Sequence, residues 1–115
     1  MSNTQIGKNG EDLACEYLKK IGYKIIERNL HFSKNCELNI LALDKSNTLI
    51  AIEVKTRKSN ICGSPLEAIT KKKYANIKQG LLTYINQHPE YKKLQIDAIG
   101  IILTPKISIQ HIKNI

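Results

Sequence analysis

Ile52-Glu53-Val54-Lys55-Thr56-Arg57, taken with Cys36-Glu37-Leu38-Asn39-Ile40, decides how this chain is read. Each is an apolar, strand-like run broken by polar residues two apart. In a strand such residues point to one face. Glu53 and Lys55 are therefore expected to share a face, and so are Glu37 and Asn39. A carboxylate and an ammonium at the end of an apolar strand cost free energy unless they pair or do chemistry.

Between the two runs, Asp44-Lys45-Ser46-Asn47 has turn composition. A hairpin follows, and the need to bury one face fixes its register. Leu43 is expected opposite Leu49, Asn39 opposite Glu53, and Glu37 opposite Lys55. Four polar side chains would then meet at one end of the hairpin.

Upstream, Leu13, Ala14, Tyr17, Leu18 and Ile21 recur at helical spacing, and Gly22 stands where a left-handed cap ends such a helix. Residues 23–28 read as a strand and 29–35 as a polar loop. Downstream, residues 57–63 form a basic loop. Ser64-Pro65-Leu66-Glu67 carries a capping-box pattern that should open a long helix. Ala68, Ile69, Ile77, Leu81, Leu82 and Ile85 are expected on its inner side, and Lys71, Lys72, Lys73 and Lys78 on its outer side. The helix should stop near His88-Pro89. Residues 94–103 read as a buried strand and 107–112 as a short edge strand. The resulting order, α-β-β-β-α-β-β, predicts one α/β domain spanning residues 1–115, with a mixed sheet between helices.

The composition narrows the function classes. Lys and Arg number 18 against 10 Asp and Glu, a net charge of +8 that favours an acidic partner such as nucleic acid. A merely solvated lysine-rich surface is the plain alternative. Cys15, Cys36 and Cys62 lack CxxC or zinc-finger spacing, and are expected as reduced structural thiols. No apolar run approaches the roughly 18 residues needed to span a bilayer, and the N-terminus has no signal-peptide pattern. A cytoplasmic protein without membrane association is expected.

Phosphodiester hydrolysis needs charge neutralised on the scissile phosphate and a water made nucleophilic. A divalent ion held by carboxylates serves the first need and helps the second. Magnesium accepts one or two carboxylates together with substrate phosphate. A neighbouring lysine can orient or deprotonate the water. Glu53 and Lys55 suit these two parts. A structural ion pair at a strand end is the competing explanation, as a cross-strand salt bridge is for Glu37 and Lys55.

Landmarks through most of the chain carry a resemblance. They are Gly10-Glu11 with Ala14 and Tyr17-Leu18, Gly22-Tyr23, Arg28-Asn29, Glu37-Leu38-Asn39-Ile40, Glu53-Val54-Lys55-Thr56-Arg57, Gly63 with Pro65, Lys73, and Ile96-Asp97. Together they resemble the YraN-type family of uncharacterised bacterial proteins. That family falls in the restriction-endonuclease-like nuclease superfamily and is similar to archaeal Holliday junction resolvases. The resemblance implies a restriction-endonuclease-like core and a magnesium- or manganese-dependent, structure-specific endonuclease. It assigns Glu11 to the helix acid, Glu53 to the metal-binding carboxylate and Lys55 to the catalytic lysine. Asn39 stands where that pattern usually has Asp, and Cys36 where it usually has Gly. An amide oxygen can touch a metal but brings no negative charge, so weaker metal binding and slower chemistry are expected, down to full inactivity. Glu37 is the candidate substitute ligand.

Helix-start preference alone would also explain Glu11. Asp97 is expected to tune a strand end, and His31, His88 and His111 to lie at the surface or in loops. Arg57, Lys58, Lys71, Lys72 and Lys73 are expected to contact phosphate backbone, which sets affinity and salt dependence but not sequence preference. No base-reading element is recognisable, so branched or single-stranded DNA is the expected partner. A homodimer is an open alternative to a monomer, because resolvases of this fold act as dimers. A catalytically impaired binding module and a basic protein-interaction domain are the other functional readings.

Overall fold

The computed structural model describes residues 2–33, 36–61 and 63–115; Met1, Lys34, Asn35 and Cys62 lie outside them. The expected element order holds, with one short 3-10 turn added.

Helix α1 spans Asn3–Lys20. It starts at a capping box in which Ser2 Oγ accepts from the Gln5 N–H and the Gln5 side chain accepts from the Ser2 N–H. Gly10, Ala14, Cys15 and Leu18 form its buried stripe. Gly22 follows at φ +96°, the left-handed conformation its position predicts.

Strand β1 runs Lys24–Ser33, well beyond the expected residue 28. The stretch that reads as a loop is an edge strand whose Leu30 and Phe32 pack inward. Its polar neighbours face solvent, which hides the alternation in a plain hydropathy reading. Strands β2 (Cys36–Leu43) and β3 (Thr48–Arg57) form the expected hairpin. Asp44 Oδ1 accepts from the Ser46 and Thr48 N–H groups and fixes the turn. Leu43 pairs with Leu49, as the hairpin argument requires.

The Ser64 cap does not open the long helix. It caps the 3-10 turn η1 (Pro65–Ala68), and Ile69 returns to extended backbone. Thr70 then caps α2 (Lys71–Gln87), its side chain accepting from the Lys73 N–H. Ile77, Gly80, Leu81 and Tyr84 are the buried positions of α2. Leu82 falls off that stripe and is exposed, contrary to the sequence expectation. β4 (Lys93–Ile102) and β5 (Ser108–Ile112) complete a five-stranded sheet in the order β1-β2-β3-β4-β5. β3 and β4 are parallel, joined through α2, and the other pairs are antiparallel.

The sheet separates two cores. On one side Ala14, Cys15 and Leu18 of α1 meet Ile40, Ile50, Ile52, Ile99 and Ile101. On the other, Ile77, Leu81 and Tyr84 of α2 meet Leu38, Leu41, Leu49, Ala51 and Ile96. Among the described residues no helix is long and apolar enough to cross a membrane. Cys15 and Cys36 are free and buried, as expected for structural thiols, and Cys62 lies outside the described residues.

α1 lies so close to β3 that a Cβ on Gly10 would collide with Thr56 Oγ1 and sit 2.7 Å from its Cβ and Cγ2. Thr56 is β-branched and stiff, so it has little room to yield. Gly10→Ala would gain about 1 kcal/mol of helix propensity. Overpacking of this kind costs typically 1–3 kcal/mol, and the contact is short enough for that term to win. A net loss of stability in urea denaturation is the expected outcome; a stabilised variant would refute the packing argument.

A buried polar cluster ties the far side of the sheet together. Asp97 of β4 is fully buried. Its Oδ2 accepts from Tyr23 OH at 3.1 Å and from His111 Nε2 at 2.7 Å. Its Oδ1 accepts from Gln95 Nε2 at 2.7 Å and from the Asn114 N–H at 3.0 Å. His111 Nδ1 is in turn hydrogen-bonded to Tyr17 OH at 3.0 Å. The expectation of a surface His111 is therefore corrected: its side chain is only 5% exposed, held under α1 by an acid that needs donors. His31 is exposed and His88 half-buried at the end of α2.

Candidate functional site

The hairpin does not stay zipped to its open end. Paired residues between β2 and β3 run from Leu43–Leu49 to Ile40–Ile52 and stop there. β3 nevertheless continues beside β4 as far as Arg57–Ile102. From Glu53 onward, β3 is thus held on one edge and released on the other. Asn39 bridges the opening, with its Oδ1 accepting from the Val54 N–H at 2.9 Å. A side chain replaces the missing backbone acceptor, so the Asn39 carboxamide lies along the sheet toward β3.

The cause lies in a matched reversal of β1 and β2. Arg28 pairs with Ile40, and Leu30 with Leu38. Ile40 belongs to the α1-side core, whereas Leu38 and Leu30 belong to the α2-side core. Residues two apart therefore lie on opposite faces here. Asn29 occupies the turning point at φ +52°, directly across from Asn39, and asparagine tolerates that conformation better than most residues. The expectation that Glu37 and Asn39 share a face does not hold. Cys36 and Leu38 pack toward α2, where a Cβ on Gly80 would meet both of them, and Glu37 between them points away. Glu37 Oε1 lies 3.7 Å from His31 Nε2 at the margin of the sheet.

β3 keeps regular alternation. Leu49 and Ala51 belong to the α2-side core, so Glu53, Lys55 and Arg57 continue on that face. Glu53 is 3% exposed. Lys73 Nζ, from the first turn of α2, lies 3.4 Å from Glu53 Oε2. The contact is an ion pair without hydrogen-bond alignment, and Oε2 has no hydrogen-bond partner among the described residues. Burial pushes the Glu53 carboxyl above the usual carboxylate range. Lys73 and Lys55 pull it back part of the way, and Glu37 adds a smaller upward push.

Of the expected site residues, the structure thus brings together Glu53, Lys55 and Lys73 on one face, with Asn39 at its border. Glu11 has partners of its own. Its Oε1 accepts from Arg28 Nε (3.2 Å), Arg28 Nη2 (3.1 Å) and Asn29 Nδ2 (2.9 Å). Arg28 Nη2 also donates to Asp12 at 2.7 Å. These bonds hold Glu11 on the α1 side, beside the β1 turning point. Arg57, Lys58, Lys71 and Lys72 are exposed. The loop after β3 is pinned to the end of β4, since the Lys58 carbonyl accepts from both the N–H and the hydroxyl of Thr104.

Lys73, expected on the outer side of its helix, instead reaches Glu53. The usable signal was Thr70: once it is the cap, the third residue after it belongs to the first turn facing β3. Among the described residues no three His, Cys, Asp or Glu side chains are grouped to hold a metal ion.

Comparison with known proteins places the chain. The model of the uncharacterised protein family UPF0102 matches residues 10–101. A UPF0102 protein of Syntrophomonas wolfei is 39% identical over 114 residues, covering 97% of each chain. Another, of Dictyoglomus thermophilum, is 41% identical over 105 residues, covering 90% of this chain and 87% of its own. A third, of Clostridium botulinum, is 42% identical over 117 residues, covering 97% and 94%. A family match across four-fifths of the sequence, with relatives alike over nearly their full length, leads to one conclusion: the chain belongs to the uncharacterised protein family UPF0102.

Proposed function

We propose that this chain binds nucleic acid and hydrolyses phosphodiesters as a metal-dependent endonuclease acting on branched or single-stranded DNA. The observation that carries the reading is Glu53: an acid 3% exposed, with an oxygen lacking a hydrogen-bond partner among the described residues, beside two lysines on the open edge of a strand. A buried carboxylate oxygen left in this state suits a cation. With Asn39 Oδ1 engaged by the Val54 N–H, Glu53 would be the principal protein ligand for magnesium or manganese, ions that readily take substrate phosphate as a further ligand. When bound, such an ion would neutralise charge on the scissile phosphate.

The chain's own residues do the rest. Lys55, two residues along the same face, orients the attacking water. Arg57, Lys58, Lys71 and Lys72 contact the phosphate backbone. Glu11 supports the site indirectly, by fixing Arg28 and Asn29 where β1 and β2 reverse. Asn39 favours a second reading, a binding module with impaired chemistry, because the residue at the strand opening brings no charge.

The test is incubation of the native protein with plasmid, single-stranded and four-way-junction DNA in magnesium and in manganese. Cleavage is expected, and Lys55→Ala and Glu53→Gln should each abolish it while leaving DNA binding within a few-fold. Binding should weaken steeply with salt, with a log–log slope near −0.7 to −0.9 per phosphate contacted. Binding without cleavage selects the impaired module. No mobility shift of any DNA at low salt sinks both readings and leaves a basic protein-interaction domain.

A further inference from the structure

Lys73 has no role in the proposed chemistry, yet it makes the closest charge contact in the site. Its backbone is fixed, since the Lys73 N–H donates to Thr70 Oγ1 at 3.1 Å and the next N–H, of Tyr74, donates to the Thr70 carbonyl at 2.9 Å. Its ammonium is held far less firmly. One ion pair at 3.4 Å links it to Glu53, and its side chain is 34% exposed. Arg28 is the opposite case, locked by hydrogen bonds to both Glu11 and Asp12. Lysine carries a compact charge on a flexible four-carbon stem, suited to changing partners without moving its helix.

We propose that Lys73 is an exchangeable counter-cation. It neutralises Glu53 while the site lacks a divalent ion, yields Glu53 when the ion enters, and then pairs with the phosphate that arrives with it. This deepens the endonuclease reading and rests on it. The arrangement resolves a conflict in the site. An ionised carboxylate this deeply buried needs a nearby positive charge, but a permanent hydrogen-bonded partner would block the ligand position. A loosely held ammonium meets the first need and leaves the second open. Freed from Glu53, it adds to the exposed cations Arg57, Lys58, Lys71 and Lys72.

The test reads metal binding directly, without cleavage. Manganese alone is titrated into the intact protein without DNA, and free ion is followed by electron paramagnetic resonance. Lys73→Met should bind manganese about tenfold more tightly than the native protein, because the competing ammonium is gone. Lys73→Arg keeps a cation and should stay within about twofold of native. Glu53→Gln should lose binding in either background. With manganese present and cleavage blocked by Lys55→Ala, affinity of Lys73→Met for single-stranded DNA should fall several-fold, with the salt slope reduced by about one contact. A folded Lys73→Met with native or weaker manganese affinity overturns the exchange, while leaving the Glu53 site intact if the native protein binds the ion. Absence of manganese binding in the native protein, Lys73→Met and Asn39→Asp alike overturns the exchange and the metal site together.

Discussion

Asn39→Asp is expected to raise the DNA-cleavage rate in magnesium by about 100-fold, equivalent to roughly 2.7 kcal/mol of barrier. The substitution changes little sterically. One carboxylate oxygen can accept from the Val54 N–H, as the amide oxygen does at 2.9 Å. The second then adds a negative charge beside Glu53, giving a divalent ion two carboxylates in place of one. Lys55→Ala in the Asn39→Asp background should remove the gain. Single-turnover cleavage of a four-way junction is the measurement. An unchanged rate would mean that the missing charge is not what limits the site. Asn39→Leu provides the structural control. It leaves the half-buried Val54 N–H without its acceptor, and losing such a bond costs about 0.5–1.5 kcal/mol. Stability should therefore fall in Asn39→Leu and hold in Asn39→Asp.

The largest effect on stability is expected at Asp97. Asp97→Ala leaves four donors without their acceptor: Tyr23 OH, His111 Nε2, Gln95 Nε2 and the Asn114 N–H. Breaking a buried, paired carboxylate typically costs 3–5 kcal/mol. In a domain of this size, that lowers Tm by on the order of 10–20 °C. Burial alone would push this carboxyl up. The hydrogen bonds from His111, Gln95 and the Asn114 N–H outweigh it and hold the group below the usual carboxylate range.

The pH dependence follows from that direction. A folded pKa below the unfolded one stabilises the fold fully above the unfolded value, about 3.8, and the gain is lost as pH falls through the lower folded value. The stability gap between native protein and Asp97→Asn should therefore be widest near neutrality and close as the pH is taken below the usual aspartate range. Thermal unfolding from pH 7 to pH 3 measures it. A gap that does not narrow would show that the cluster acts by shape and not by charge.

Much of this architecture could be read from local chemistry. Asp44 and Ser46 announced the turn, and the need to bury one face then fixed Leu43 against Leu49. Gly22 announced the end of α1. The departures come from features that act across elements. The reversal at Asn29 and Asn39 involves two strands at once, so a period-two reading of Glu37 and Asn39 on one strand cannot detect it. His111 is buried because Asp97, fourteen residues earlier, needs a donor, and a five-residue strand offers too little pattern to reveal that. Lys73 stands in a run of three lysines of which only the third reaches Glu53. Which one does so depends on where α2 begins, and Ser64-Pro65 pointed to a start several residues too early. The candidate acids were legible as residues, but whether they converge was not. Glu53, Lys55 and Lys73 gather on one face, while Glu11 is taken up by Arg28 and Asn29.

The bond from Val54 to Asn39 has an evolutionary corollary. Asparagine and aspartate can both supply that oxygen, and their codons differ by a single base. Selection for a stable fold therefore scarcely distinguishes the two. Only selection for what happens at the strand opening can, so a lineage can lose or regain the charge there in one step with its scaffold intact.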